Sequence, residues 1–182
     1  MTEKELVEGC VEGNRKAQKR LFELYAPNML AVAARYSKSI AEAEDILQDA
    51  FIKIFDKIST FKGDATIGAW IKRIVINTAL NSQRRKLYDQ PMEEVDDRNY
   101  HDMQNIVLSD YSFNELLGMI QSLPSGCQII FNLYAIEGYS HKEIADQLDI
   151  SEGTSKSQYS RAKQLLQQKI KLEDRKAYEK AV

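Results

Sequence analysis

Ser151, Gly153, Thr154, Ser155, Lys156, Gln158, Tyr159, Arg161 and Lys163 crowd hydrogen-bonding and cationic side chains into one stretch, GYSHKEIADQLDISEGTSKSQYSRAKQLL. No Asp or Glu lies between 153 and 172, whereas a helix that merely faces water mixes both signs. Just upstream, Ser140 with Glu143 spells a capping box, and Ile144, Ala145 and Leu148 form the inward face of a short helix. Asp149-Ile150 makes a tight turn, and Ser151 caps a second helix. A short helix, a turn and a second helix have the spacing of a helix-turn-helix, whose second helix enters the DNA major groove. Small residues at Ser151, Gly153, Thr154 and Ser155 let the first turn approach phosphate with its N–H groups and positive dipole end. Lys156, Gln158, Tyr159, Arg161 and Lys163 then offer donors and acceptors to base edges and phosphates. The plainer alternative is a solvated amphipathic helix that closes a bundle.

A second concentration lies at 72–86, where Lys72, Arg73, Arg84, Arg85 and Lys86 stand with no acid among them. On a helix this strip spans about 20 Å, long enough to follow a phosphate backbone and to make binding fall with salt. Asn77 sits within it, either as a plain surface residue or as an amide able to donate and accept at a base edge. Phe61 and Trp70 raise base stacking as an option. A lone Trp sharing a helical face with Ile71 and Ile74 reads instead as a core anchor.

Other chemistry has less to build on. His101 and His141 have no nearby His or Cys partner in sequence, Cys10 and Cys127 sit in no CxxC pair, and no Gly-rich phosphate loop occurs. Neither an enzyme active site, a metal, a cofactor nor a disulfide is expected. Both cysteines read as small buried hydrophobes in a reducing cytoplasm. No apolar run approaches the roughly 20 residues of a membrane span, so no membrane insertion is expected. A net charge of −2 over 182 residues argues against a uniformly basic nucleic-acid binder, but not against local patches.

The elements that position these groups read as helices throughout. Only three Pro and eight Gly occur, and no stretch alternates as a strand would. Thr2 with Glu5 caps a first helix, Gly13-Asn14 ends it and caps the next, and Pro27 is expected to kink or restart the second. From 41 to 58, Ile46, Leu47, Ala50, Phe51, Ile54, Phe55 and Ile58 make one buried stripe, opposite Glu42, Asp45, Gln48, Asp49, Lys53, Asp56 and Lys57. Residues 87–112 carry Asp89, Glu93, Glu94, Asp96, Asp97, Asp102 and Asp110 against Arg98 alone, which reads as a linker. The expected architecture is all-α: a helical domain over 1–86, a flexible acidic linker over 87–112, a helix-turn-helix domain over 113–172 and a tail over 173–182.

Taken together, ISEGTSKSQYSRAKQLL, AEAEDILQDAFIKIF and FKGDATIGAWIKRIVINTALNSQRRK resemble three segments of bacterial RNA polymerase σ factors of the extracytoplasmic-function class. The resemblance covers roughly 15–86 and 113–170, in the same order and around the same acidic linker. It implies that Asp45, Gln48 and Asp49 dock on the coiled coil of the polymerase β′ subunit. It implies that Asn77, with the loop from Lys62 to Ile67, receives a base flipped from the opened −10 strand, and that the 151–163 helix reads the −35 duplex. Core RNA polymerase (β′ coiled coil and β subunit), promoter DNA and an anti-σ factor are the implied partners. Family members often carry an aliphatic residue at the position of Ser155 and Arg at that of Gln158. The alternative function is a free-standing helix-turn-helix regulator that binds operator duplex without polymerase; it leaves the acidic face of 41–58 and the basic strip unexplained.

Overall fold

The computed structural model describes residues 2–89 and 112–181, with side chains over 2–83 and 112–173. Every regular element among them is helical, and the chain divides into two units, Met1–Arg85 and Lys86–Val182. The expected acidic linker falls almost wholly outside the described residues.

Unit 1 begins with α1 (Glu3–Val11), started by the capping box: Thr2 Oγ1 accepts from the Glu5 N–H at 3.3 Å and Glu5 Oε2 from the Thr2 N–H at 2.8 Å. Gly13, at φ 74, turns the chain, and Asn14 caps α2 (Arg15–Tyr36) through the N–H groups of Lys16 and Ala17. The two helices pack closely: a Cβ on Gly9 would stand 2.8 Å from that of Ala17. Helix α2 runs through Pro27 as one element, so the chain does not restart there. Loss of one N–H donor and a ring clash cost a helix about 3 kcal/mol. Here Ala26, Met29, Val32, Ala33 and Ala34 are all buried around and beyond the proline, so tertiary burial outweighs the local penalty.

Ser39 caps α3 (Ile40–Lys57), accepting from the Glu42 N–H at 3.2 Å. Ala43, Ile46, Leu47, Ala50, Phe51 and Ile54 are buried, and Ile58 continues the stripe into a 3₁₀ turn. Burying one such Ile, Leu or Phe stabilises by about 1.5–3 kcal/mol, so this stripe sets how α3 is held. Exposed i,i+4 pairs such as Lys19–Glu23, at 3.8 Å, contribute about 0.3–0.5 kcal/mol each. Helix α4 (Ile67–Asp89) closes the unit, burying Ile67, Ile71, Val75, Ile76, Ala79 and Leu80.

Unit 2 starts with α5 (Phe113–Gln121), capped by Ser112 and Glu115 in a second reciprocal box. Pro124 occupies the N-cap of α6 (Ser125–Phe131). One π-helical turn (Asn132–Ile136) follows, and then α7 (His141–Leu148), whose expected capping box is present. Asp149 closes α7 in the left-handed region at φ 57, a conformation a short polar side chain tolerates best among non-glycine residues. Ser151 Oγ accepts from the Thr154 N–H at 2.9 Å and starts α8 (Glu152–Ala181). The tail expected from 173 is thus helical backbone through Ala181. Leu123, Cys127 and Ala162, backed by Phe131, Leu165 and Leu166, pack α6 against α8.

Candidate nucleic-acid and protein interfaces

In unit 2 the inward line of α8 decides which side chains are left for a ligand. Ser155, Gln158 and Ala162, spaced i, i+3, i+7, are all buried. The Cys127 thiol donates to the Gln158 amide oxygen at 3.0 Å, and Ser155 Oγ meets His141 Nδ1 at 2.9 Å. Both residues were expected at the −35 interface; the structure places their side chains in the core of the unit. Polarity alone suggested the outer face, but three- and four-residue spacing from Ala162 points them inward.

Ser151, Gly153 and Lys156 are exposed at the start of α8. Lys156 Nζ lies 2.7 Å from Glu152 Oε1; each lowers the energy of the other's charged form, raising the lysine pKa and lowering the glutamate's. In open solvent this pair is easily exchanged for a phosphate contact. Thr154, Tyr159, Arg161 and Lys163 are half-buried. Tyr159 belongs to an aromatic cluster, 4.5 Å from Tyr134 and 6.2 Å from Phe131 between ring centroids, and Lys163 Nζ sits 4.7 Å over its ring. Tyr159 therefore orients its cationic neighbour as well as presenting its own phenol.

His141 completes this cluster, stacked on Tyr134 at 4.2 Å and 13°. Its pKa is lowered from 6.5, first by burial, then by Lys156 and less by Lys163, with Glu152 opposing. The folded unit thus binds the proton more weakly than the unfolded chain, and stability falls as pH drops below the unfolded value. Thermal unfolding should show a lower Tm at about pH 5.5 than at pH 7.5, and His141→Phe should remove that step. An unchanged step in the variant would assign it to other groups.

In unit 1, Asp45, Gln48 and Asp49 are exposed on one line of α3. Ile52 extends that line and is 61% exposed. It places one exposed apolar side chain beside the acids of this line. In sequence Ile52 lies among the stripe residues, and its i+3 spacing from Asp49 is the signal that sets it on the acidic line.

On α4, Arg73 and Asn77 are exposed four residues apart, with Asn81 continuing the line and Lys72 half-buried beside it. Asn81, four residues beyond Asn77, is a further candidate whose spacing is its signal in the sequence. Arg84, Arg85 and Lys86 lie on the helical backbone of α4, with side chains outside those described. Trp70 is half-buried rather than a fully enclosed core anchor, and its ring meets Phe61 at 5.7 Å and 59°. Between them the loop 62–66, including Lys62, is exposed throughout; Gly63 takes φ 79 and Thr66 Oγ1 accepts from the Ala69 N–H at 3.3 Å. A cationic and amide-bearing helix face, with a loop and an aromatic pair at one end, suits a single nucleic-acid strand. Among the described residues no cluster of His, Cys, Asp and Glu could hold a metal, and no helix is long and apolar enough to cross a membrane.

Comparison with known proteins matches these units separately. Residues 21–87 match the family model "Sigma-70 region 2", and residues 113–166 match "Sigma-70, region 4". The chain is similar to the ECF RNA polymerase sigma-E factor of Escherichia coli K12, at 28% identity over 93% of this chain and 95% of that one. The sigma-E factor of Haemophilus influenzae is 29% identical over 93% of this chain and 96% of its own. Among solved structures, the sigma factor RpoE from Bartonella quintana, crystallised with the anti-sigma factor NepR, shares the fold at a TM-score of 0.50 and 24% identity. It covers 84% of this chain and 96% of that one.

Proposed function

The chain belongs to the sigma-70 family, in its extracytoplasmic-function class, and from that premise we propose how its surfaces divide the work of promoter-specific transcription initiation. As a σ factor it binds core RNA polymerase and directs it to promoters. The exposed line Asp45, Gln48, Asp49, with Ile52 at its C-terminal end, docks on the β′ coiled coil through charge-assisted pairs beside one apolar contact. The face Arg73, Asn77, with Lys62, Lys72, Arg84, Arg85 and Lys86, holds the opened −10 strand; Asn77 reads the edge of an unpaired base. The start of α8, with Ser151, Gly153, Thr154, Lys156, Tyr159, Arg161 and Lys163, fixes register on the −35 duplex, and unit 2 also meets the β subunit. The protein acts in the cytoplasm, catalyses nothing itself, and is held in check by an anti-σ factor.

The observation that carries this reading is the presence in unit 1 of two different exposed faces, an acidic one on α3 and one on α4 that carries Arg73 and Asn77, beside a helix-turn-helix in unit 2. A free-standing regulator needs only the last. Footprinting on promoter duplex separates the two: protection spanning both elements should require core polymerase together with this chain. Equal protection by the chain alone would favour the regulator.

A further inference from the structure

Within unit 1 the corner between α2 and α3 is tied to α4 through a buried amide that neither interface uses. Gln83 is 2% exposed, and its Nε2 donates to the Tyr36 carbonyl at 2.9 Å and to Glu42 Oε1 at 2.8 Å. Glu42 is shared, because its Oε2 accepts from the Lys38 N–H at 2.8 Å. One side chain thus joins the last turn of α2, the first turn of α3 and the body of α4. The amide orientation follows from its partners: both are acceptors, and a flipped amide would set its oxygen against a carboxylate. Gln83 Oε1 accepts no hydrogen bond, a desolvation penalty that an apolar side chain of similar size would avoid. Nearer the middle of both helices, Lys53 Nζ donates to the buried Thr78 hydroxyl at 3.3 Å. Apolar burial holds α3 against the unit without direction; these hydrogen bonds add direction at two levels.

Both ties lie between the two proposed faces. Asp45 follows Glu42 by one helical turn, and Arg84 follows Gln83 directly. We infer that Gln83 is a positioning residue, fixing the rotation of the −10-reading face of α4 relative to the docking face of α3. A polymerase that grips α3 would thereby also place Arg73 and Asn77 against the opened strand. The inference rests on the function proposed above and adds to it a residue that touches neither partner.

Gln83→Met keeps the volume and deletes both donations. In assembled holoenzyme it should leave capture by core polymerase within about twofold. It should lower affinity for the single-stranded non-template −10 oligonucleotide of a responsive promoter about tenfold, as expected for loss of hydrogen bonds that include a charged acceptor. Gln83→Glu, which sets a second carboxylate against Glu42, should lose more. Because a buried change can loosen the whole unit, Glu42→Gln provides a milder variant: it keeps a neutral acceptor and should show an intermediate loss with core capture intact. Unchanged oligonucleotide affinity in these variants would overturn the inference. So would a parallel loss of core capture, which would make Gln83 merely structural. Failure of the wild-type holoenzyme to hold the oligonucleotide would overturn the −10 assignment itself, and this inference with it.

Discussion

Asp45→Arg combined with Asp49→Arg should lower capture of the chain by core RNA polymerase at least about a hundredfold while its Tm moves by no more than about 2 °C. Both carboxylates are exposed and project from the side of α3 opposite its buried stripe. The apolar contacts that hold the helix are therefore untouched. They stand beyond the first turn, where the helix dipole would penalise an added cation most. At a docked surface the change replaces two attractive pairs by two repulsive ones, and losing one partner of a desolvated pair already costs about 2–5 kcal/mol. Co-purification with core polymerase, read beside thermal unfolding, checks this. Capture that survives with the fold intact would move the docking site away from α3.

A second large effect is expected on promoter affinity. Arg73→Ala, Arg84→Ala and Arg85→Ala together should reduce the slope of log affinity against log salt by about two to three, since each phosphate contact contributes about 0.7 on single strands and 0.9 on duplex. Affinity at about 0.15 M salt should drop at least tenfold, with little change in which promoter is preferred, because phosphate contacts place the chain without reading sequence. Arg73 is exposed on the face that carries Asn77, so Asn77→Ala serves as the contrast: it should weaken discrimination at one −10 position and leave the salt slope alone. A slope unchanged in the triple variant would mean that α4 does not follow the backbone.

Caps and stripes were legible from local sequence because they are local physics. Thr2 with Glu5, Asn14 and Ser140 with Glu143 each satisfy orphan N–H groups within one turn, and the α3 stripe repeats often enough to define its face. The failures came where a residue's partner is distant in sequence. Pro27 reads as a point where the helix kinks or restarts, and the burial on both sides of it carries α2 through without a restart. Gln158 reads as groove-facing and Ser155 as part of the phosphate-facing first turn, whereas the side chains of both turn inward to Cys127 and His141. Gln83 lies beside the most basic run of the chain, yet its amide is buried against Tyr36 and Glu42. Trp70 fell between the two readings offered for it, packed on one side by Phe61 and half open on the other. The candidate faces were thus visible as composition, and the structure sorted which side chains on each face are available.

Run-off transcription from a pooled genomic promoter library, with purified core polymerase in the presence and absence of this chain, tests the central claim most directly. Discrete transcripts that appear only with the chain, and whose upstream sequences share paired −35 and −10 elements, are the predicted result. No new transcripts, with promoter duplex still bound by the chain alone, would contradict it.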